Sequence, residues 1–548
     1  MTTESTPLLT EPESPTFARK PERKRRSSRP VRLLKSLVGL TTDSTGFNRY
    51  ILLVNALLTL FCLDATFRPL FLNGEEDLAF VRVGAVGETW AKIHARIPPS
   101  PAIDELTVGA IVIYRTMKPV GEWIVGPKVL MSNVTDWTSV VKIDELWPGT
   151  SYEYRLTSLS SPAAHHERFP TVGRFKTVPD SRLVTDGSQF TFGHTSCIKP
   201  GFPYNPLRPP LHNDGAEQLA EVAHDHNLDF ILFLGDFIYA DAPYHAGSRV
   251  KDYWRKYRQS YASAGWKKLM QSVRTIHIYD DHEIFNDWAG QNNDHHPIFA
   301  SANEAYNHYL GSANYDGPGS GENYYWFRHG DAAFFVWDCR RYRSANEDTD
   351  DESKTMLGLT QKQVYLDWLG AVNSTVTFKF VISSTPFMTL WSGPDGAIDT
   401  WAGFMTERSE LMDVMQYIPN LIVLSGDRHE FAAATIRETV VEFSTSPLNQ
   451  FWLPIKTLNQ ENGLGQTGED KLLKYIPQGN HKFSTIAVDS RDPKQPKLKF
   501  NLFIDGQVAW NLTYVGKSVT EPPKQLGELF PSWEQFMSLL HPIKWLTS

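Results

Sequence analysis

The stretch 421-LIVLSGDRHEFAAA-434 joins an apolar run to four consecutive ionisable side chains, those of Asp427, Arg428, His429 and Glu430. A continuous run of Leu, Ile and Val is typical of a strand that is covered on both faces, as in a parallel α/β sheet. In open α/β sheets the reacting groups gather just beyond the carboxyl ends of such strands. The stretch therefore predicts a functional site at the end of a buried strand.

Five other apolar runs between residues 187 and 390 end in the same way, on polar side chains. Helical segments such as 215-GAEQLAEVAHDHN-227 and 360-TQKQVYLDWLGAVN-373 alternate with them, which indicates an α/β domain whose sheet presents one edge of catalytic groups. The five runs are 190-FTFGHTSC-197, 229-DFILFLGDFIY-239, 274-RTIHIYDDHE-283, 332-AAFFVWDCRRYR-343 and 378-FKFVISSTPF-387.

Asp280 and Asp281 stand side by side directly after one of these runs. Neighbouring carboxylates repel each other, and burying them costs several kcal/mol unless cations compensate. Carboxylate and amide oxygens, here those of Asp281, Asn286 and Asp427, are ligands for hard metal cations. Each cluster alone could be a turn, a helix cap or core packing. Their repetition at four strand ends favours one shared metal site.

The region from 76 to 180 has a different pattern, in which apolar and polar residues alternate between Gly and Pro turns. Short strands at regular spacing predict a β-sandwich of about 100 residues. Within it, 146-LWPGTSYEYRLTS-158 resembles the tyrosine corner of fibronectin type III domains, in which the hydroxyl of Tyr152 would close a loop onto the backbone. The region has no cluster of catalytic residue types, so we expect a structural or substrate-orienting module.

The composition is that of an ordinary globular protein with a net charge of -8. Because binding to a phosphate backbone requires a basic face, this mild acidity argues against nucleic acid as a partner, apart from a phosphodiester substrate. The three cysteines, Cys62, Cys197 and Cys339, exclude a disulfide scaffold and leave one bridge possible.

The first 72 residues differ in composition from the rest of the chain. Residues 1–46 have the composition of a disordered tail, with a basic run at 19–35 that could be a nuclear address. The apolar segment 50-YILLVNALLTLFCL-63 favours instead a signal-anchor helix at 47–72, with the basic tail on the cytoplasmic side. The alternative is a buried helix of the soluble domain. An anchor in this orientation makes the membrane a partner and places the catalytic part in a lumen or outside the cell.

Two short patterns agree with that location. Three N-x-[ST] sequons, at Asn133, Asn373 and Asn511, predict a glycoprotein. The segment from Glu4 to Leu9 resembles an acidic dileucine sorting signal for vacuoles or lysosomes.

The strand-end motifs together resemble those of the PhoD-type alkaline phosphatases, a branch of the metallophosphoesterase (calcineurin-like) superfamily. That superfamily presents Asp-x-His, Gly-Asp, Gly-Asn-His-[Asp/Glu] and Gly-His-x-His in this order. The present chain has Thr-Ser-Cys at 195–197, Gly-Asp-x-x-Tyr at 235–239, Asp-Asp-His-Glu at 280–283 and Gly-Asp-Arg-His at 426–429, which are the departures of the PhoD type.

The resemblance covers roughly 76 to 515 and implies the fold. We expect an α/β metallophosphoesterase-like β-sandwich core flanked by helices at 187–515. An all-β fibronectin III/Ig-like sandwich and the membrane anchor would precede this core, and a tail at 516–548 would follow it.

The same resemblance implies a ferric ion with one or two calcium ions. Carried over, Cys197 as thiolate and Tyr239 as phenolate would bind the iron, with Asp236 bridging the metals. The remaining ligands of the metal shells would be Asp281, Asn286, Asp427 and His429. Thiolate and phenolate are anionic donors that suit a trivalent ion, whereas carboxylate and amide oxygens suit calcium. A disulfide between Cys197 and Cys339 is the rival interpretation of that thiol.

The implied reaction is hydrolysis of a phosphate monoester. Metal ions lower the pKa of bound water and stabilise the developing charge on the phosphoryl group. His282 would protonate the leaving alkoxide or interact with the phosphate. Arg340 or Arg341 could bind the phosphate bidentately, and Arg428 is a further candidate; surface ion pairs are the plainer explanation of these arginines.

Three other functions compete with this one. The same metals could serve a phosphodiesterase. A purple acid phosphatase also joins a fibronectin-like domain to Gly-Asp-x-x-Tyr, but it would require Gly-His-x-His where this chain has 426–429. An inactive, membrane-anchored binding module would be signalled by lost ligands, and the chain keeps the ligand types named above.

Overall fold

The computed structural model describes residues 30–31, 34–35, 44–72, 74–99, 107–159, 172–181, 187–319, 321–391, 396, 398–454, 457–458 and 469–519. Most of the predicted tail at 1–46, the sorting pattern at 4–9 and the predicted tail beyond 519 lie outside these residues. The chain divides into two compact units, Met1–Phe71 and Leu72–Ser548.

The first unit contains helix α1, Thr45–Phe71. Its segment Thr45–Arg68 is long and apolar enough to cross a membrane, and leucines on all its sides are exposed. At 1.5 Å per residue such a helix exceeds the roughly 30 Å of a bilayer core. Past the apolar run the helix contains Asp64 and Arg68, which form an i,i+4 ion pair that lowers the cost of placing both charges on it. The membrane span itself stays a prediction.

The second unit begins with two antiparallel sheets, in the strand orders β1-β2-β5 and β4-β3-β6-β7. Alternate residues of the strands point into one core that contains Ile93, Val112 and Tyr154. The hydroxyl of Tyr152 accepts a hydrogen bond from the backbone amide of Trp147 at 2.8 Å, so the loop closure expected from the sequence is present. The strands are β1 Phe80–Val86, β2 Ala91–Arg96, β3 Thr107–Thr116, β4 Ile124–Ser132, β5 Thr138–Ile143, β6 Ser151–Ser158 and β7 Gly173–Lys176.

The larger part of this unit is built on two further sheets, in the orders β10-β9-β8-β18-β19-β20 and β11-β12-β13-β14-β16-β15-β17. Their strands are β8 Gln189–Thr195, β9 Phe230–Leu234, β10 Arg274–Ile278, β11 Tyr325–His329, β12 Ala332–Val336, β13 Phe378–Ile382, β14 Leu421–Ser425, β15 Phe431–Ile436, β16 Val440–Thr445, β17 Asp470–Ile476, β18 Lys482–Asp489, β19 Lys497–Ile504 and β20 Gln507–Val515.

Aromatic side chains join the two sheets face to face. The ring of Phe192 on β8 lies 5.3 Å from Phe334 on β12 and 5.2 Å from Phe380 on β13, measured between centroids. Phe443 on β16 stacks on Phe500 of β19 at 4.1 Å. The fold is therefore a two-sheet core, as expected, and the strands at its centre read as continuous apolar runs because both of their faces are buried.

Helices cover the outer faces of the core. Those against the six-stranded sheet are α2 Asp214–Asp225, α3 Val250–Ala262, α4 Ala264–Ser272 and α5 Pro297–Tyr309, and those against the seven-stranded sheet are α6 Gly358–Val372 and α7 Met405–Met415. On β12 the ring of Phe334 points into the core between the sheets, whereas the next residue, Phe335, packs against Tyr365 and Trp368 of α6.

The N-terminal sandwich packs on the larger core through a buried ionic cluster. The two carboxylate oxygens of Asp136, which lies in the sandwich, accept hydrogen bonds from Arg96 at 3.1 Å and from Arg258 of α3 at 2.7 Å. The hydroxyl of Tyr309 donates to the same carboxylate. Since the arginines and Asp136 are buried, this contact fixes the sandwich to α3 and α5.

Candidate metal centre

Four strands deliver the predicted site residues to one edge of the core. β8, β9 and β10 are parallel neighbours in one sheet, and each is followed by a predicted residue: Cys197, Asp236 and Asp281. β14 lies in the facing sheet and is followed by Asp427 and His429. Because the carboxyl ends of these strands meet at the same edge, residues that are far apart in sequence lie together there.

The backbone at this edge adopts conformations that are rare for side chains other than glycine. Cys197, Asp236, Asp427 and His429 all have positive φ, between 56° and 72°. Such conformations cost roughly 1–3 kcal/mol each and cluster at functional sites. Gly235, at φ 100°, has no space for a side chain, because a Cβ there would lie 2.4 Å from the Cβ of Asp280. The close approach of the β9 and β10 ends thus requires glycine.

One side of the centre brings together a thiol, a phenol, an imidazole and a carboxylate. Ligand atoms of Cys197, Asp236 and His429 lie within 4.8 Å of one another. The hydroxyl of Tyr239 lies 3.0 Å from Nε2 of His429 and donates to Oδ2 of Asp236 at 3.2 Å. The structure therefore places four of the predicted ligands in contact.

The protonation states on this side depend on a cation. Burial raises the pKa of the Cys197 thiol and of the Tyr239 phenol well above their usual values, and the charge of Asp236 raises both further. Burial also lowers the pKa of His429 well below its usual value, so this imidazole is neutral and can act as a ligand. Thiolate and phenolate form here only if a positive charge stabilises them.

The other side of the centre is a cluster of carboxylates. Oxygens of Asp280, Asp281 and Asp427 lie within 4.8 Å of one another. Among the residues that the structure describes, Oδ2 of Asp280, Oδ1 of Asp281 and Oδ2 of Asp427 are buried and accept no hydrogen bond. Burial raises the pKa of Asp427 well above its usual value and that of Asp280 to about 6. Such oxygens are costly to bury unless they bind cations.

Asp236 connects the two sides. It belongs to the group with Cys197 and His429, and it also lies within 4.8 Å of ligand atoms of Asp281 and His282. Burial raises its pKa well above the usual value. A carboxylate in this position could bridge two metal ions, one on each side.

His282 is held by a carboxylate that the sequence analysis did not identify. Its Nδ1 lies 2.8 Å and 3.0 Å from the two oxygens of Asp241, which also accepts the backbone amide of Asn286 at 2.8 Å. Burial lowers the pKa of His282, but Asp281, Asp236 and Asp241 outweigh that effect and raise it to about 11. Asp241 lies in the loop after Tyr239, where a single aspartate has no periodic pattern that would identify it.

Glu283 was also not predicted to have a role. Its carboxylate accepts the backbone amides of Asp236 at 2.9 Å, Phe237 at 2.6 Å and Asp280 at 2.8 Å. These bonds join the turn after β9 to the turn after β10. Burial raises the pKa of Glu283 to about 8. The residue therefore holds two ligand-bearing turns at a fixed spacing.

Asn286, another predicted ligand, lies in the turn after Asp281 and next to the residues that hold His282. Its side chain is exposed, and its hydrogen bond to Asp241 is made by the backbone. The next residue, Asp287, instead has an oxygen within 4.8 Å of Asp281 and Asp399. Ligation by Asn286 stays a prediction.

The three predicted arginines differ in accessibility. Arg340 is fully buried, and its guanidinium pairs with Asp280 and, at 2.6 Å, with Asp399, a residue that the sequence analysis did not identify. Arg341 pairs with Asp294 at 2.6 Å. Arg428 is half-buried, and its Nη1 lies 3.8 Å from Oδ2 of Asp427. Arg341 and Arg428 are both partly accessible, and of these two Arg428 lies next to a residue of the carboxylate cluster.

The rival interpretation of Cys197 as half of a disulfide has no support. Both Cys197 and Cys339 are free thiols. The sulfur of Cys197 lies 3.0 Å from the hydroxyl of Ser196, and that of Cys339 lies 3.5 Å from the hydroxyl of Ser383.

A two-sheet core that gathers thiol, phenol, imidazole and carboxylate ligands at one edge defines a class of metal-binding hydrolases. A family model for PhoD-like phosphatases matches residues 192–493, more than half of the chain, and the chain belongs to this family. The predicted family is thus confirmed.

One solved structure supports the fold. The structure titled "Structure of PhoD" has a TM-score of 0.60 and 18% sequence identity, and the match covers 80% of this chain and 90% of that chain. A dimetal phosphatase from Danio rerio matches at 13% identity over 60% of this chain and 98% of its own, with a TM-score of 0.37. A human fibronectin type III domain matches at 16% identity over 20% of this chain and 91% of its own, with a TM-score of 0.15. The last two similarities are too low to support an argument. The curated proteins include no significant match.

Proposed function

We propose that this phosphohydrolase cleaves phosphate monoesters with a centre of one ferric ion and one or two calcium ions. The observation that carries the proposal is the position of Asp236. It lies between a thiol–phenol–imidazole group on one side and a carboxylate group on the other, so it can bridge two unlike metal ions.

The donor sets fit two different cations. Cys197 and Tyr239 would become anionic ligands only beside a strong positive charge, which favours a trivalent ion at that side. The oxygens of Asp280, Asp281 and Asp427 that accept no hydrogen bond provide a hard, oxygen-rich surface on the other side. Calcium binds such oxygens with flexible geometry.

Residues of the chain would supply the proton and the phosphate contact, and bound metal ions would supply positive charge. Bound metal ions would supply the positive charge that activates a water molecule and neutralises the phosphoryl oxygens. His282, with Nδ1 fixed by Asp241, is oriented to give a proton to the leaving oxygen. Arg428 is placed to contact the phosphoryl group from the accessible side.

Arg340 has a different role in this proposal from the phosphate binding that the sequence predicted. Its guanidinium is buried between Asp280 and Asp399, so it acts through those carboxylates and positions them. Arg341 is likewise committed to Asp294 and to the carbonyl of Gly321. We therefore assign phosphate contact to Arg428 and a positioning role to Arg340.

The localisation belongs to the same proposal. Helix α1 would anchor the chain in a membrane once, with the catalytic part lumenal or extracellular. Asn133 and Asn511 are exposed and open to glycosylation, whereas Asn373 is buried. A mobility shift on glycosidase treatment that disappears in the Asn133→Gln/Asn511→Gln double variant is the expected result. A chain made in a secretory host that carries no glycan at either asparagine would contradict the lumenal orientation.

The test of the catalytic proposal is the metal content of the purified full chain, measured by mass spectrometry together with hydrolysis of p-nitrophenyl phosphate and bis(p-nitrophenyl) phosphate. We expect near-stoichiometric iron, calcium in addition, and faster cleavage of the monoester, with activity lost on chelation and restored by the two metals. Faster cleavage of the diester would make the protein a phosphodiesterase. A folded chain that binds neither metal and hydrolyses neither ester would make it a binding module.

A further inference from the structure

A lysine that forms no ion pair among the described residues lies against the metal centre. Lys199 is half-buried, and its ammonium nitrogen lies 5.8 Å from the centre of the Tyr239 ring. Within the part of the chain that the structure describes, this ammonium has no hydrogen-bond acceptor and forms no ion pair with a carboxylate. A half-buried ammonium that forms no ion pair, next to a predicted metal ligand, requires an explanation.

A second lysine lies close to the first. Lys256 on α3 is also half-buried, and its ammonium donates to the carbonyl oxygen of Ala242 at 3.2 Å. Burial and then the charge of Lys199 lower the pKa of Lys256 to about 8, so the two ammonium groups repel each other. Lys256 likewise forms no ion pair within the described residues.

The nearby carboxylate does not neutralise this pair. Asp241 acts on the charges of both lysines. Its oxygens, however, are used by Nδ1 of His282 and by the backbone amide of Asn286. Two half-buried ammonium groups that share one occupied carboxylate are unfavourable by themselves, and an anion bound between them would remove the cost.

The position of the pair relates it to the leaving group. The ring of Tyr239 contacts Lys199 and also stands 4.3 Å from the ring of His282. Asp241 links the same His282 to the loop that Lys256 contacts. Tyr239 and the loop at Asp241 therefore connect both lysines to His282, the proposed proton donor to the leaving oxygen.

We propose that Lys199 and Lys256 bind a second anionic group carried by the leaving alcohol, so that the preferred substrates are phosphate monoesters of anionic alcohols. Bisphosphates and phosphorylated hydroxy acids are the two forms of this class. The inference rests on the proposed phosphatase function, and it adds the substrate class that the metal centre alone does not specify.

The experiment compares kcat/KM of the metal-loaded full chain on n-propyl phosphate with kcat/KM on 1,3-propanediol bisphosphate and on 3-phosphopropanoate, by release of inorganic phosphate. We expect wild type to prefer each of the two esters whose alcohol carries a negative charge over n-propyl phosphate by more than about 10-fold, as one ion pair in a half-buried site supports. In Lys199→Met and Lys256→Met the ratio of the charged ester to n-propyl phosphate falls toward one, and in Lys199→Arg the ratio is kept.

The ratio cancels any effect that a substitution has on the reaction common to all three esters. Lys251→Met, which removes an exposed lysine from the same helix, is the matched control and leaves the ratio unchanged. A wild type that hydrolyses n-propyl phosphate with no preference for the charged esters overturns the lysine inference alone. Equal losses on charged and uncharged esters overturn it too. A wild type that hydrolyses none of the esters overturns the phosphatase function itself.

Discussion

Two clusters of buried charge in the large unit are built differently. At the contact between the sandwich and the core, Asp136 meets two arginines and a tyrosine hydroxyl, and both of its oxygens accept hydrogen bonds. At the metal centre, three aspartates each leave one oxygen without a donor among the described residues. The first cluster is neutralised within the chain, since Arg258 also pairs with Glu76 at 3.5 Å, and the second is not.

The difference separates a structural use of buried charge from a functional one. A buried carboxylate with matched arginines is compensated without any other component, and its removal harms the fold. Carboxylates that outnumber their cations, on backbone with positive φ, are compensated only by something that binds. Substitutions in the two clusters should therefore change different measured quantities.

The largest effect is expected at the bridge. Asp236→Ala should reduce kcat/KM for p-nitrophenyl phosphate by more than about 1000-fold, because metal ions supply several kcal/mol of transition-state stabilisation. Bound iron and calcium should fall together, whereas the circular dichroism spectrum stays that of wild type. Asp225→Ala, at an exposed position on α2, serves as the control. Retention of both metals and of activity would show that Asp236 does not bridge.

The next effect is on the fold. Asp136→Ala leaves Arg96 and Arg258 buried without their shared carboxylate, which costs about 3–5 kcal/mol. Urea denaturation should show a lower midpoint, and the folded fraction should bind the metals of wild type. If this variant lost its metals at a denaturant concentration where it is still folded, the separation of the two clusters would be wrong.

Asp241→Asn tests a residue that acts through another. Loss of an orienting carboxylate next to a metal site typically costs about 10–100-fold in activity. The loss should be large for an alkyl phosphate, whose leaving oxygen needs a proton, and small for p-nitrophenyl phosphate, whose leaving group does not. The measurement is the ratio of kcat/KM for the two esters. An equal loss on both would mean that Asp241 supports the fold and does not orient His282.

The parts of this site that could be predicted from the sequence are those that depend on residues close together in the chain. Apolar runs that end in carboxylates identified Asp281 and Asp427, because strand ends in such sheets meet at one edge, and the family resemblance added Cys197 and Asp236. The Tyr152 corner was also predictable, since its hydrogen bond spans five residues of one loop.

The parts that could not be predicted depend on how loops return to the site. Asp241 and Asp399 reach His282 and Arg340 from irregular segments, where a single aspartate carries no periodic signal. The side to which a guanidinium points is likewise set by tertiary packing. For this reason Arg340 was predicted from the sequence to contact the phosphate, whereas in the structure it lies buried between carboxylates.

Lys379 is a third case, a buried charge with neither a partner nor a place in the site. It lies near the start of β13, away from the carboxyl ends that form the metal centre, and its fully buried ammonium has no hydrogen bond within the described residues. Burial lowers its pKa to about 7, although Asp331 opposes the shift. Lys379→Met should therefore raise the free energy of unfolding at pH 7 by about 1 kcal/mol, with activity unchanged.

The effect of Lys379→Met on stability, the smallest of the predicted effects, should depend on pH in a characteristic way. Between pH 7 and 10.5 the unfolded chain holds a proton on Lys379 that the folded chain has lost, so the stability of wild type rises with pH in that window. The advantage of Lys379→Met should be greatest at or below pH 7 and, at a limiting slope of about 1.4 kcal/mol per pH unit, should be lost at about pH 8 and reversed at pH 9. Thermal unfolding at pH 7 and pH 9 measures it, with Lys499→Met, an exposed strand lysine, as the control. A variant that is less stable than wild type at pH 7, or whose advantage grows with pH, would mean that Lys379 is charged and paired in the folded protein, and that its burial belongs with the balanced cluster at Asp136.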